Sequence, residues 1–409
     1  MVKKILHAAS WLGLVQAMNV VSVIVLSILV IRQIETAEVS SYMYAVFTTD
    51  AILSYTLLQI ALRITLAKDD ATFKQLFEYG RRFSFANALL AVVVVIVFLI
   101  SSDHTTSART LQFIGWLTAA GLANYFAQMC FSVCDYTFDY KSFGVSSATS
   151  NILSLMIAVA VFVLGGGILS LVVRDVARSF ILLTLAIKNS RTLIPDTAGT
   201  IPLDKEAKLA FVGFLAKRHT LKILEVTNHR VPALITSAGN TTSLGHFGVA
   251  FQLISQIMNV LTIAGDKLAY SFFARAERQS KLRYLSVVLV LYAVAGLAIL
   301  FFGEALFTLI YGAQWQASAK TFSYLGIYLF THGGLGLITN FLVTEHRFAG
   351  VYSAWTGWTI TFFACFAYDP TWPIAAYYLS ASTVSFMLAV CALCWTRWHL
   401  PPAALQGAV

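Results

Sequence analysis

"LVVRDVARSFIL", residues 171–182, places two arginines and an aspartate inside an otherwise apolar run. In water such a run is an ordinary amphipathic helix. In hydrocarbon each charge costs roughly 2.5–3.5 kcal/mol at a helix centre unless a cavity or a partner takes it up. The solvent around this stretch therefore decides the fold class and the meaning of Arg174, Asp175 and Arg178.

Composition points to lipid. Of 409 residues, 58% are hydrophobic and 11% charged, with a mean hydropathy of +0.75. Soluble domains carry about 25% charged residues. The apolar segments recur from end to end, which excludes a single anchor on a soluble domain. A helix needs about 20 residues to cross the hydrocarbon core. Twelve spans are expected on that measure, near 8–31, 42–62, 83–101, 111–134, 144–163, 168–187, 221–239, 247–266, 284–302, 321–343, 349–367 and 373–395. "MVKK" followed by a long apolar stretch reads as an uncleaved start-transfer helix, with no cleavage site before the first span.

The basic residues orient the spans. With the N-terminus inside, only Arg32, Arg109 and Lys320 of the 28 lysines and arginines fall in outside segments. Arg174, Arg178 and Arg230 fall within spans, and all the rest are inside. That asymmetry places both termini in the cytoplasm. It also accounts for the net charge of +9 without a nucleic-acid partner.

The longest polar segment, 188–220, holds Pro195, Pro202 and mixed charges. It reads as a cytoplasmic linker between an N-terminal six-helix lobe (1–187) and a C-terminal six-helix lobe (221–395), with a cytoplasmic tail at 396–409. "EVSSYMYAVFTTD" (38–50) and "TSLGHFGVAFQLI" (242–254) share a polar turn, an aromatic and an alanine three residues on, at corresponding places in the two halves. The expected fold class is an all-α polytopic membrane protein, 12 transmembrane helices in two six-helix lobes related by a parallel pseudo-repeat.

The intramembrane charges are the candidate site. At 1.5 Å per residue Arg178 lies about 15 Å deep, and Arg230 about 13 Å from the other side. Arg174 and Arg178, four apart, share a helical face, and Asp175, three before Arg178, can pair with it. Glu225 and His229 likewise share a face, and Pro232 is expected to loosen the helix after Arg230. Asp50 sits at similar depth, Asp266 and Lys267 end the eighth span, and His332 lies in "THGGLG". Plainer readings stand beside each: a structural ion pair at 174–178, an interfacial Asp266, a packed His332. A cavity with more arginine than acid favours an anion, and arginine's planar fork suits phosphate. Candidate substrate-binding residues are Arg174, Arg178, Arg230, His229 and His332. Candidates for coupling to a proton or sodium ion are Asp50, Glu225 and Asp266.

Other chemistries find little support. Cys130, Cys134, Cys365, Cys391 and Cys394 all lie in apolar runs and read as small buried residues. "CALC" (391–394) has no second pair, and the Gly-rich phosphate loops and HExxH pattern are missing. No metal, no organic cofactor and no enzymatic activity are expected.

Three stretches carry a family resemblance: "LGHFGVAFQLISQIMNVL" (244–261), "FGEALFTLIYGAQWQASAKTFSYLGIYLF" (302–330) and "FLVTEHRFAG" (341–350). With the twelve-span, two-lobe plan, they resemble the multidrug/oligosaccharidyl-lipid/polysaccharide (MOP) exporter superfamily. Within it the chain is most similar to bacterial O-antigen and exopolysaccharide flippases of the Wzx type. Phe247 stands where tyrosine is usual, and Ser40–Ser41 where glycine is expected. The resemblance implies flipping of an undecaprenyl-diphosphate oligosaccharide across the bacterial inner membrane, by alternating access through a cationic cleft between the lobes. It implies a lipid-linked anionic glycan, membrane lipids and other polysaccharide-assembly membrane proteins as partners. The alternative is an ion-coupled antiporter of the multidrug and toxin extrusion branch, which wants an acidic cavity. A glycosyltransferase or polymerase would need a sizeable outside loop, and a scaffold has no use for mid-membrane arginines.

Overall fold

The computed structural model describes residues 2–65, 67, 69–102, 106–137, 139–194, 203–236, 241–262, 273, 277–345 and 347–398; the side chain of His229 and all of Asp266 and Lys267 lie outside that description. Among the described residues the regular structure is entirely helical. Each of the twelve expected spans coincides with helix over most of its described residues, the second with a break at Leu57–Gln59. Among the described residues, seven helices are long and apolar enough to cross a membrane by length and composition. Lipid-facing positions are plain on α4 (Asp70–Ser102) and α11 (Arg278–Tyr311). There Leu89, Val97, Ile100 and Phe301 stand exposed, an arrangement that water would penalise and acyl chains do not.

The chain packs as two compact units, Met1–Gly248 and Val249–Val409. The first unit holds α1 (Val2–Ile31), α2 (Thr36–Thr56), α3 (Ile60–Thr65), α4, α5 (Ala108–Thr137), α6 (Tyr140–Val161), α7 (Leu169–Leu193), α8 (Lys205–His229) and α9 (Val231–Thr236). α10 (Thr241–Thr262) begins in it and continues into the second unit. α7 packs on α5 and α6, α1 on α6, and α2 on α5. A wide π-type turn, Phe162–Gly166, joins α6 to α7, and Gly165 (φ 87°) and Gly167 (φ 52°) supply the left-handed backbone there.

The second unit holds α11, α12 (Gln316–Thr344), α13 (Phe348–Tyr368) and α14 (Ile374–Trp398). α12 packs on α11 and α14, and α14 on α13. Gly296 and Gly326 let α11 and α12 approach closely: a Cβ on Gly296 would meet the Gly326 carbonyl oxygen at 2.6 Å. Near 303–320 the chain stays helical to Tyr311 and turns within a few residues at Gly312 (φ 94°).

Two departures from simple spans shape the first unit. The second expected span breaks at Leu57–Gln59, though neither Pro nor Gly stands there. Asn87 of α4 replaces the lost backbone pairing: its Oδ1 accepts from Leu58 N at 2.9 Å and its Nδ2 donates to the Thr56 carbonyl at 2.7 Å. The segment read as linker is helical from Lys205 onward, with Asp204 Oδ1 accepting from Ala207 N at the cap. Phe211 and Leu215, four apart, bury one face of α8 against Ile60, Ile64, Phe73, Phe77, Met129 and Val133.

The two stretches singled out as a repeat pack on one another. Gly245 lies against Ser40, Gly248 against Met43, and the rings of Phe47 and Phe247 are 6.3 Å apart.

Candidate functional site

The three mid-membrane arginines lie in the first unit, and each has a different environment. Arg230 occupies the junction where α8 ends at His229 and α9 begins at Val231. Pro232 follows it, and the helical path breaks as a proline requires. The Arg230 Nη2 atom lies 2.9 Å from Asp50 Oδ2 of α2. Its guanidinium carbon also sits 5.1 Å from the centre of the Phe47 ring, three residues before Asp50 on the same helix face. The pair is accessible, with side-chain exposures of 27% for Arg230 and 45% for Asp50.

Arg174 is locked. Its side chain is 7% exposed, Nη1 donates to Asp175 Oδ1 at 3.0 Å, and Nη2 reaches Asn19 Oδ1 of α1 at 3.4 Å. Asp175 in turn accepts from the Tyr42 hydroxyl of α2 at 3.2 Å. So Asp175 pairs with its neighbour Arg174, where the spacing had offered Arg178. A carboxylate held by Tyr42 on one oxygen presents the other to Arg174.

Arg178 is left over. No ion pair or hydrogen bond joins it to another side chain among the described residues, and its Nε is buried without a partner. It lies half-buried one turn from Arg174, close enough to feel both that cation and Asp175. A guanidinium in such a place calls for an anion, and the described residues put none in contact with it.

α8 adds a second group of charges around the α2 break. Lys222 Nζ donates to the Leu57 carbonyl at 3.2 Å, and a ring nitrogen of His219 meets the Tyr55 carbonyl at 2.9 Å. Arg218 Nε donates to Gln59 Oε1 at 2.8 Å, and the hydroxyls of Tyr55 and Thr227 are 2.6 Å apart. Lys222 and His219 thus meet the free carbonyls of a helix C-terminus, the negative end of its dipole, where the Lys222 charge is favoured. The fields of Lys222 and Arg218 reach Glu225, and those of Lys222 and Asp175 reach Asp50.

The structure thus brings Arg174, Arg178, Arg230, Asp50 and Glu225 into one unit. His332 lies in the other, buried on α12, stacked 4.9 Å from Tyr328 and edge-on 5.7 Å from Trp355. Asp266 falls outside the described residues, and of His229 only the backbone is described. Tyr42, Phe47, Asn19, Arg218 and Lys222 are members that sequence reasoning missed. Tyr42 and Phe47 were within the quoted repeat, and the two α8 cations had been counted as inside-loop charges. Among the described residues no group of three or more His, Cys, Asp or Glu side chains is placed to hold a metal.

Comparison with known proteins adds the family. Residues 87–320, more than half of the chain, match the family model described as polysaccharide biosynthesis protein. No curated protein matches the sequence. Among solved structures, the lipid II flippase MurJ in an inward closed conformation superposes with a TM-score of 0.68 at 12% identity, covering 96% of this chain and 87% of its own. A Vibrio cholerae MATE transporter superposes with a TM-score of 0.66 at 12% identity, covering 96% of each chain. A MOP superfamily transporter from Pyrococcus furiosus, described by a binding pocket of reversed polarity, gives 0.65 at 10% identity, covering 97% of this chain and 95% of its own. At these identities the likeness is one of fold. The chain therefore belongs to the polysaccharide biosynthesis protein family, an all-α multi-pass membrane protein with the fold of the MOP superfamily.

Proposed function

We propose that this chain flips an undecaprenyl-diphosphate-linked oligosaccharide across the bacterial inner membrane for O-antigen or exopolysaccharide assembly. The observation that carries the reading is Arg178, a half-buried guanidinium with no acid in contact among the described residues. The matched family is one of polysaccharide biosynthesis, and a flippase of another lipid-linked precursor shares the fold. Sugars and diphosphate moved unaided through hydrocarbon would lose their hydrogen bonds to water, at several kcal/mol each. A cationic cleft removes that cost while the lipid tail stays in the bilayer. Arg178 receives a phosphoryl oxygen first, Arg230 second, and Arg174 orders the site from behind. Alternating access moves the bound headgroup, with Asp50 or Glu225 coupled to a proton or sodium ion. The two six-helix lobes, 1–187 and 221–395, joined through 188–220, are the moving bodies of this scheme, with the N- and C-termini in the cytoplasm. His229, His332 and Asp266 line the path in the same scheme, and other polysaccharide-assembly membrane proteins receive the product.

The MATE-type neighbours favour a second reading, an ion-coupled antiporter of drugs or metabolites. Such cargo is mostly cationic, and an unpaired Arg178 repels it. The test is lipid analysis of a strain lacking the chain. The proposal expects a complete lipid-linked repeat unit trapped on the cytoplasmic leaflet, with loss of surface polysaccharide. An intact glycan coat with no trapped intermediate would favour the antiporter.

A further inference from the structure

We infer that Asp50 is a built-in competitor for the substrate anion: it occupies Arg230 in the empty site, and an incoming diphosphate displaces it. The inference rests on the proposed function for the identity of the anion.

Three observations carry it. The Phe47 ring covers one face of the Arg230 guanidinium, so a ligand is steered toward its edges, where the N–H groups point. Asp50 Oδ2 already holds Nη2 at 2.9 Å, and a phosphoanion that binds the fork through two oxygens needs that same N–H. Finally, Arg230 is more exposed than Arg174, 27% against 7%, and Asp50 more than Asp175, 45% against 32%. Arg174 is 7% exposed and fixed by Asn19, and its partner Asp175 is fixed by Tyr42. Asp50 is 45% exposed, and Arg230 is the cation it touches.

Exchange also solves a charge problem. An empty site with Arg230 unpaired would hold two bare guanidiniums, Arg178 and Arg230, in a membrane. Asp50 neutralises one of them until the substrate arrives. Lys222, whose charge also acts on Asp50, offers the displaced carboxylate a second cation.

The test uses purified full-length protein in nanodiscs, with inorganic pyrophosphate and undecaprenyl diphosphate as separate probes. At fixed pH, Asp50→Asn is expected to tighten binding of both about tenfold, and Arg230→Gln to weaken it by at least as much. The double variant is expected to match Arg230→Gln alone. A tenfold gain that persists without Arg230 would overturn the inference, since it would be a general field effect. Unchanged or weaker binding by Asp50→Asn, or no binding of either probe to the wild type, would also overturn it. A gain with undecaprenyl diphosphate alone makes the lipid the anion's source. A gain with both makes the diphosphate group sufficient. A measurement on the unaltered chain covers the case in which Asp50→Asn misfolds. Pyrophosphate should raise modification of Asp50 by a hydrophobic carbodiimide, read by mass spectrometry, and no rise would overturn the exchange. Should the strain show no trapped glycan while exchange is seen, the cargo is wrong and the competitor stands.

Discussion

Asp50 and Arg230, 180 positions apart in the chain, meet at 2.9 Å where a regular helix passes a broken one. Asp50 sits within the helical part of α2, before its break at Leu57–Gln59, and Arg230 sits at the α8–α9 break. The accessible pair and the locked Arg174–Asp175 pair look alike in sequence but differ in burial, and their variants should differ accordingly.

Removing Arg174 strands a hydrogen-bonded network in a buried place. Arg174→Gln is expected to cost about 2 kcal/mol, less than for a fully buried pair because the stranded Asp175 is 32% exposed. Arg230→Gln breaks a pair whose two side chains are 27% and 45% exposed and is expected to cost about 1 kcal/mol. Thermal unfolding in one detergent compares the two directly. Equal losses would mean that the exposure difference has no energetic meaning.

Arg178 should behave in the opposite way. It has no acid in contact, so Arg178→Gln removes a cation from a poor environment. Stability is expected to stay level or rise by up to about 1 kcal/mol, while pyrophosphate binding falls. A destabilised variant that still binds would make Arg178 a structural residue.

α8 is held by its apolar face. Phe211→Ala is expected to cost about 3 kcal/mol, as for other large-to-small changes in a packed core. It should also expose the α2 break, because Lys222 and His219 of the same helix hold its carbonyls. Protease sensitivity within 203–220 would report the detachment, and an unchanged cleavage pattern would count against it.

The N-terminal end of α4 gives a pH prediction. Asp69 accepts from the Thr72 N–H at 2.8 Å and from the Thr72 hydroxyl at 3.1 Å. These bonds hold its carboxyl below the usual aspartate range. A depressed carboxylate stabilises the fold above its ordinary pKa and loses that contribution as pH falls through the lowered value. Asp69→Ala should therefore lower the unfolding temperature at neutral pH, and the difference from wild type should shrink on acidification.

In the second unit, Gly326→Val should force α11 and α12 apart, at about 1–3 kcal/mol of overpacking. The Gly326 Cβ position is blocked by backbone atoms of Gly296 and Leu300, so no side-chain rotation relieves it. Thermal unfolding would show it, and a neutral result would contradict the close approach.

The fold class was legible because lipid imposes a crude rule: long apolar runs, and basic residues on one side. Arg174, Arg178, Arg230 and Asp50 were legible for the same reason, as charges where charge is expensive. Their partners were not. Asp50 and Arg230 are joined only by packing, and Asp175 turned to Arg174 because Tyr42, distant in sequence, holds it. Pro195, Pro202 and mixed charge made α8 read as a linker, although Phe211 and Leu215 already marked a buried face. The α2 break has no Pro or Gly to announce it and depends on one asparagine in α4. His332 looked polar in a small-residue stretch, yet it is packed among Tyr328 and Trp355.

The most direct test of the central claim is a leaflet assay in proteoliposomes holding a labelled undecaprenyl-diphosphate oligosaccharide. Purified wild-type chain is expected to move the lipid to the opposite leaflet, and Arg178→Ala/Arg230→Ala to lose that transfer while keeping a folded unfolding profile. Transfer at the wild-type rate by the double variant, or none by the wild type, would contradict the account.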